Sequence, residues 1–213
     1  MRTAKTVLTV IQERGKQKKP IERVYKLLFN RELYLNAYAK LYPNNGAMTK
    51  GVTDETVDGM SIQKIDRMIE ILREEKYQWK PARREYIKKK NGKKRPLGIP
   101  VWGDKVLQEV MRQILEAYYE PQFSEPSHGF RPNRGCHTAL QEIQVWKGTR
   151  WFIEGDISQY FDTIDHKILL EILARNIHDG RFIRLVSNML EAGYLEEWKF
   201  NQTISGVPQG GVI

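Results

Sequence analysis

A single cysteine, Cys136, stands among the 213 residues. It excludes an internal disulfide framework and a cysteine-built zinc cage, and it fits a reducing, intracellular compartment. No run of about 18 apolar residues occurs, so no helix of this sequence spans a membrane. The opening Met1-Arg2-Thr3-Ala4-Lys5 leads into a mixed apolar and basic stretch, without the apolar core and cleavage site of a secretory signal. Internal repeats and low-complexity tracts are absent as well. What is present suffices for a packed interior: 40% hydrophobic and 10% aromatic residues exclude wholesale disorder. The length suits one large domain or two small ones.

Thirty-five basic residues oppose 26 acidic ones, a net charge of +9. Residues 1–40 carry +7 and residues 80–95 carry +8, which leaves −6 on the other 157 residues. Two focused basic segments on a mildly acidic body are the footprint of a polyanion binder, and nucleic acid is the obvious partner. A solubilising face or a disordered basic tail is the bland alternative.

Helical spacing is weak at Val7, Val10 and Ile11. A basic run then ends at Pro20, so residues 1–20 read as a frayed helix and linker, with Lys16, Lys18 and Lys19 as candidate nucleic-acid contacts. Residues 21–41 read as helix, 43–46 as a turn and 47–60 as loop. Ser61 can cap a helix with Ile62, Ile65, Ile69 and Leu72 on one stripe. Asn91-Gly92 between extended segments predicts a hairpin over 84–100, which puts the +8 charge on a two-stranded ribbon. An amphipathic helix follows over 104–119, then a turn-rich stretch at 124–135 and a helix near 136–146. Cys136 is expected to pack at that helix's start, and Trp146 and Trp151 in the core. Trp151–Ile157 reads as a buried strand that delivers Asp156. Asp165 can cap the next helix, another covers about 181–192, and residues 198–213 read as strand or hairpin.

The stretches that carry chemistry are few. An apolar strand delivering Asp156, with Tyr160 and Phe161 just beyond, is what a metal-dependent polymerase palm needs: a carboxylate for Mg²⁺ and a ring against a sugar. The same pattern also describes an aspartate that ends a strand above two core aromatics. Val207-Pro208-Gln209-Gly210-Gly211 lets backbone approach a ligand, or is simply a turn. In His128-Gly129-Phe130-Arg131-Pro132-Asn133-Arg134, the two arginines can bind phosphate.

Taken in order, the basic hairpin ending Arg95-Pro96-Leu97-Gly98-Ile99-Pro100, the Gly-Phe-Arg-Pro-Asn-Arg loop, the Gly155–Asp162 stretch and the Pro-Gln-Gly-Gly turn resemble reverse transcriptases. They are most similar to the group II intron-encoded enzymes, or maturases, over roughly residues 22–213. Residues 22–60, with Asn45-Gly46 and Val57-Asp58-Gly59-Met60, resemble that family's N-terminal extension. The resemblance implies an α+β fold of right-hand polymerase fingers and partial palm. Residues 1–60 would be the N-terminal extension and start of the fingers, 61–147 the fingers with the basic hairpin at 83–100, and 148–213 the partial palm. It further implies Asp156 as the first catalytic carboxylate on two Mg²⁺ ions, with the Ile157 carbonyl beside it. Phe161 would lie under the incoming sugar, Lys89 and Arg95 on the triphosphate, and Gln209 and Gly210 beside the dNTP. Lys88 and Lys90 compete with Lys89, since the choice depends on hairpin register. Arg83, Arg84, Lys93, Lys94, Arg131 and Arg134 would contact nucleic acid.

The family's Tyr-Ala-Asp-Asp motif is missing, and no Asp-Asp pair occurs anywhere in the sequence. Two-metal phosphoryl chemistry needs several carboxylates. The expectation is therefore an inactive N-terminal piece of an RNA-directed DNA polymerase whose partners are intron RNA, RNA template, DNA primer and dNTP. An open palm edge would favour a homodimer. The location implied is bacterial cytoplasm or an organelle. A splicing module without polymerase activity, or a retron or diversity-generating enzyme, are the other readings.

Overall fold

The computed structural model describes residues 2–88, 92, 94–207 and 212. Helix α1 (Ala4–Lys16) leads through β1 (Ile21–Glu22) and a 3₁₀ turn over Val24–Phe29 into α2 (Arg31–Leu41). A long loop and α3 (Ile62–Arg73) precede the hairpin of β2 (Ala82–Lys88) and β3 (Lys94–Ile99). Then come α4 (Trp102–Tyr119), α5 (Cys136–Gln144), the single turn α6 (Tyr160–Thr163), α7 (His166–Ala174), β4 (Ile177–His178), α8 (Gly180–Leu190), β5 (Tyr194–Glu196) and β6 (Lys199–Asn201). The fold is a mixture of helix and sheet.

Helix α4 is the axis of the core. Val106, Leu107, Val110, Met111, Ile114 and Tyr118 are fully buried along it, and α1, α2, α3 and α8 pack into the same cluster. Of its two buried acids, the deeper, Glu109, is held by Arg112 through bonds of 2.7 and 2.8 Å, with Lys40 at 3.3 Å. A carboxylate can sit there only because it is paired. The Ser61 hydroxyl accepts from the Lys64 amide at 3.2 Å and starts α3, and Asp165 does the same for α7 through the Ile168 amide at 2.9 Å.

Two sheets form among the described residues: a parallel pairing of β1 with β4, and a four-stranded sheet in the order β3-β2-β5-β6. In the latter, β2 is antiparallel to β3 and parallel to β5, and β5 is antiparallel to β6. Residues far apart in sequence thus share one sheet, because β5–β6 zips onto the base of the basic hairpin.

Several sequence expectations need correction. The N-terminal segment is no frayed tail: Thr3 caps α1, Ala4 and Ile11 are buried, and Gly15 abuts the backbone of Tyr118. The helix expected over 21–41 is split into β1, the 3₁₀ turn and α2, since Ile21 pairs with Ile177 and Asn30 caps a fresh start. The strand expected at 151–157 does not form. Trp151 is 88% and Ile153 93% exposed, and Trp146 and Phe152 are exposed too. A strand needs a ladder for its amides and carbonyls, and none of the described residues pairs with this segment. Cys136 does begin α5, but it is exposed. The last hairpin starts at Tyr194, earlier than expected. Finally, Ile87 pairs with Arg95 and Lys88 with Lys94, one residue out of register with a two-residue Asn91-Gly92 loop, which would set Lys88 opposite Arg95.

Candidate nucleic-acid interface

Cross-strand partners share a face, and alternate residues along a strand change face. The observed register therefore sorts the basic residues. One face of the four-stranded sheet carries Arg84, Tyr86, Lys88 and Lys94 together with Tyr194, Glu196 and Lys199. The other carries Arg83, Glu85, Ile87, Arg95, Leu97, Leu195 and Phe200.

On the first face, the Arg84 guanidinium lies 3.4 Å from the centroid of the Tyr194 ring and 4.0 Å from the Glu196 carboxylate. The Tyr86 hydroxyl donates to Glu196, and that bond raises the phenol's pKa. Lys94 Nζ stands 5.8 Å from the Tyr86 ring. Four cations against one acid, interleaved with two tyrosines, suit phosphates and bases together.

Arg83, on the second face, is a strut. Its Nε and Nη2 donate to the Lys50 carbonyl at 3.1 and 2.9 Å, and its remaining arm meets Glu85. Lys105 reaches the neighbouring Thr49 carbonyl at 3.2 Å, with its pKa lowered by burial and by Arg83. Together they hold the 47–55 loop to the hairpin base. Arg95 is exposed and pairs with no acid among the described residues.

The Arg131 side chain is only 7% exposed, and it donates to the Glu120 carboxylate and to the carbonyls of Ser124 and Ser127 while lying over Phe123. Its donors are occupied within its own loop. Arg134 bonds Glu125 at 2.7 Å and depresses that carboxyl's pKa. Lys16, Lys18 and Lys19 are exposed just past the docked face of α1, with Lys16 paired to Glu13.

Asp156 and Ile157 are exposed in the irregular segment before α6. Mg²⁺ takes oxygen ligands in a near-octahedral shell, and a two-ion site needs several carboxylates. Among the described residues no group of three or more His, Cys, Asp or Glu side chains is placed to hold a metal ion. These residues alone therefore do not fit a two-ion centre.

Phe161 meets Val207, the last described residue before the Pro-Gln-Gly-Gly stretch. The Val207 amide donates to the Phe161 carbonyl at 2.7 Å and the Gly206 amide to that of Ile164 at 2.8 Å. Gly206 has φ +81°, and a Cβ there would meet the Phe161 carbonyl oxygen at 2.7 Å, so the crossing requires glycine. Phe161 and Val207 line a cleft of about 330 Å³ with Trp79, Arg84, Asp104 and Gln108. Arg95 is on the opposite face of the sheet, so it and Phe161 do not share that cleft. Lys89, Lys93, Gln209 and Gly210 lie outside the described residues.

Sequence reasoning missed Asp104. Its carboxylate accepts from the Tyr77 hydroxyl at 2.6 Å and the Lys80 amide at 2.9 Å, and burial pushes its pKa up to about 6. Only the all-round burial of the first turns of α4 singles it out.

The family described as reverse transcriptase (RNA-dependent DNA polymerase) matches residues 87–213, more than half of the chain. The chain belongs to the reverse transcriptase family. The group II intron-encoded protein LtrA of Lactococcus lactis is 50% identical over 193 residues, 90% of this chain and 32% of that protein. An uncharacterized 91 kDa protein in the cob intron of Schizosaccharomyces pombe is 45% identical over 218 residues, 99% of this chain and 27% of that protein. Nuclear intron maturase 1, mitochondrial, of Arabidopsis thaliana is 36% identical over 93 residues, 43% of this chain and 13% of that protein. Within the reverse transcriptases the chain thus groups with intron-encoded proteins and maturases. It spans about a third of LtrA and less of the other two. No helix among the described residues is long and apolar enough to cross a membrane.

Proposed function

We propose that these residues form the fingers and partial palm of a group II intron-encoded RNA-directed DNA polymerase, and that by themselves they bind RNA without extending a primer. The observation that carries the reading is a reverse transcriptase match whose sheet gathers Arg84, Lys88, Lys94 and Lys199 with two tyrosines on one face. Residues 1–60 serve as N-terminal extension, 61–147 as fingers and 148–213 as partial palm. Intron RNA is the partner of the basic surface, including Lys16, Lys18 and Lys19, and RNA template and DNA primer are partners of the whole polymerase.

Asp156 and the Ile157 carbonyl contribute to a two-ion Mg²⁺ site only together with carboxylates from outside these 213 residues. Phe161 and Arg95 meet one dNTP only when the 160–166 turn reseats against a completed palm sheet, with Lys89, Gln209 and Gly210 around it. The test is cDNA synthesis by the full-length protein and its Asp156→Ala variant, beside RNA binding by the 213-residue chain. The reading expects synthesis to vanish in the variant, and the shorter chain to bind structured RNA with an affinity that falls steeply with salt. Normal synthesis by the variant would refute the polymerase assignment. Full splicing assistance by a parent that makes no cDNA would favour the second reading, a maturase module alone, which the absence of a metal-holding group among the described residues motivates.

A further inference from the structure

The turn between β5 and β6 is built against local preference. Glu197 and Trp198 both have positive φ, 49° and 63°, in a two-residue hairpin loop where Asn-Gly is the favoured pair. A bulky residue in the left-handed region is uncommon and strained. Trp198 is also 88% exposed, so the indole returns nothing to the core. Glycine at this position would relieve the strain and remove the exposed apolar surface. The residue therefore weakens the turn that carries it.

The surroundings indicate what it serves. Lys199 follows it on the cationic face that holds Arg84, Lys88 and Lys94. Because β2 and β5 run parallel, the β5–β6 turn points toward the same end of the sheet as Lys88 and Lys94. Lys88 is four residues beyond Arg84 along β2, about 13 Å at strand spacing. Among the described residues the only acid on that face, Glu196, is already engaged by Tyr86 and Arg84. Glu197, the other residue of the turn, is acidic, so the phosphates flanking a stacked base must pass on the Lys199 side.

We propose that Trp198 is a stacking platform for an unpaired base of single-stranded RNA, whose flanking phosphates run along Lys199 toward Lys94 and Lys88. Aromatic rings accept any base in this way, and the adjacent cations hold the backbone. The assignment rests on the RNA-binding reading above and adds a contact for unpaired segments within a structured RNA.

The test is fluorescence anisotropy of the 213-residue chain with a short labelled single-stranded RNA and with a matched RNA duplex, over a salt series. Trp198→Gly is expected to bind the single strand roughly 5- to 150-fold more weakly, the range for losing one base stack. Its salt slope should be unchanged, because no cation is lost. Its melting temperature should equal or exceed that of the wild type, which separates the effect from misfolding. Trp198→Phe should keep most of the affinity. Wild-type-like binding by Trp198→Gly would overturn the stacking role. So would a variant that changes only self-association or capture of a protein. Binding of the duplex but not of the single strand by the wild-type chain would also overturn the stacking role, whereas binding of neither RNA would bring down the RNA-binding reading itself.

Discussion

Replacing Gly15 by alanine sets two magnitudes against each other. In an ordinary helix interior the change stabilises by about 0.5–1 kcal/mol, because glycine gives up more backbone freedom than alanine. Here the added Cβ would sit 2.1 Å from the Tyr118 carbonyl oxygen, 2.9 Å from its carbon and 3.2 Å from its Cα. All three atoms are backbone of α4, the most buried helix of the fold, so no side chain can swing aside. Helix α1 must then move by about an ångström, which loosens Ala4 and Ile11 from the core and strains the bond from the Tyr118 hydroxyl to the Lys19 carbonyl, now 3.0 Å. Overpacking of this kind costs about 1–3 kcal/mol, and Ile11 adds part of the roughly 1.5–3 kcal/mol its burial contributes. The packing terms win. Gly15→Ala should be destabilised by about 1–3 kcal/mol, read as a lower urea midpoint at unchanged slope and a melting temperature about 2–10 °C lower. Intrinsic helicity works the other way, so a variant as stable as the wild type would refute the close α1–α4 contact.

Two further perturbations follow from buried charges. The Asp104 carboxyl has a pKa of about 6 in the fold against 3.8 ordinarily. A raised folded value means that its contribution is complete below about pH 4 and is lost as pH rises through 6, a fall of about 3 kcal/mol. Urea midpoints measured across that window should decline for the wild type and stay nearly level for Asp104→Asn. A wild-type profile that is flat or rising there would contradict the burial argument. Arg131→Ala removes a side chain only 7% exposed and strips partners from Glu120 and two carbonyls. It should cost about 3 kcal/mol and open residues 123–135 to proteolysis. Arg134→Ala, whose partner Glu125 is 88% exposed, should cost far less than Arg131→Ala. Equal protease sensitivity of the two variants would show that Arg131 does not hold the loop.

Much of the helical framework was legible because its signals are local. Ser61 and Asp165 cap helices where the apolar stripes behind them begin, and α4 and α8 carry periods that survive any context. The basic hairpin was legible for the same reason, since a charged, extended run on either side of Asn91-Gly92 has few other forms. Its register was not, because pairing depends on how the connection closes and a one-residue slip exchanges the faces. The roles of the arginines were hidden more deeply. Arg83, Arg84, Arg131 and Arg134 look alike as cations in a basic segment. One became a strut on the Lys50 carbonyl, one a partner of Tyr194, one a buried clamp and one a surface pair, each decided by an acceptor distant in the sequence or across a loop.

The sequence by itself determined the chain's family, the density of charge on the hairpin and the existence of most helices, because motif order, composition and short-range periodicity are written locally. Tertiary structure alone decided that the N-terminal segment docks through Gly15 and that β5–β6 joins the basic hairpin in one sheet. It also decided that Phe161 meets Val207, and that the residues around Asp156 stay outside the core. Those outcomes depend on which backbone groups find partners across long sequence separations, and a strand such as 151–157 forms only where a neighbouring strand can satisfy its amides and carbonyls.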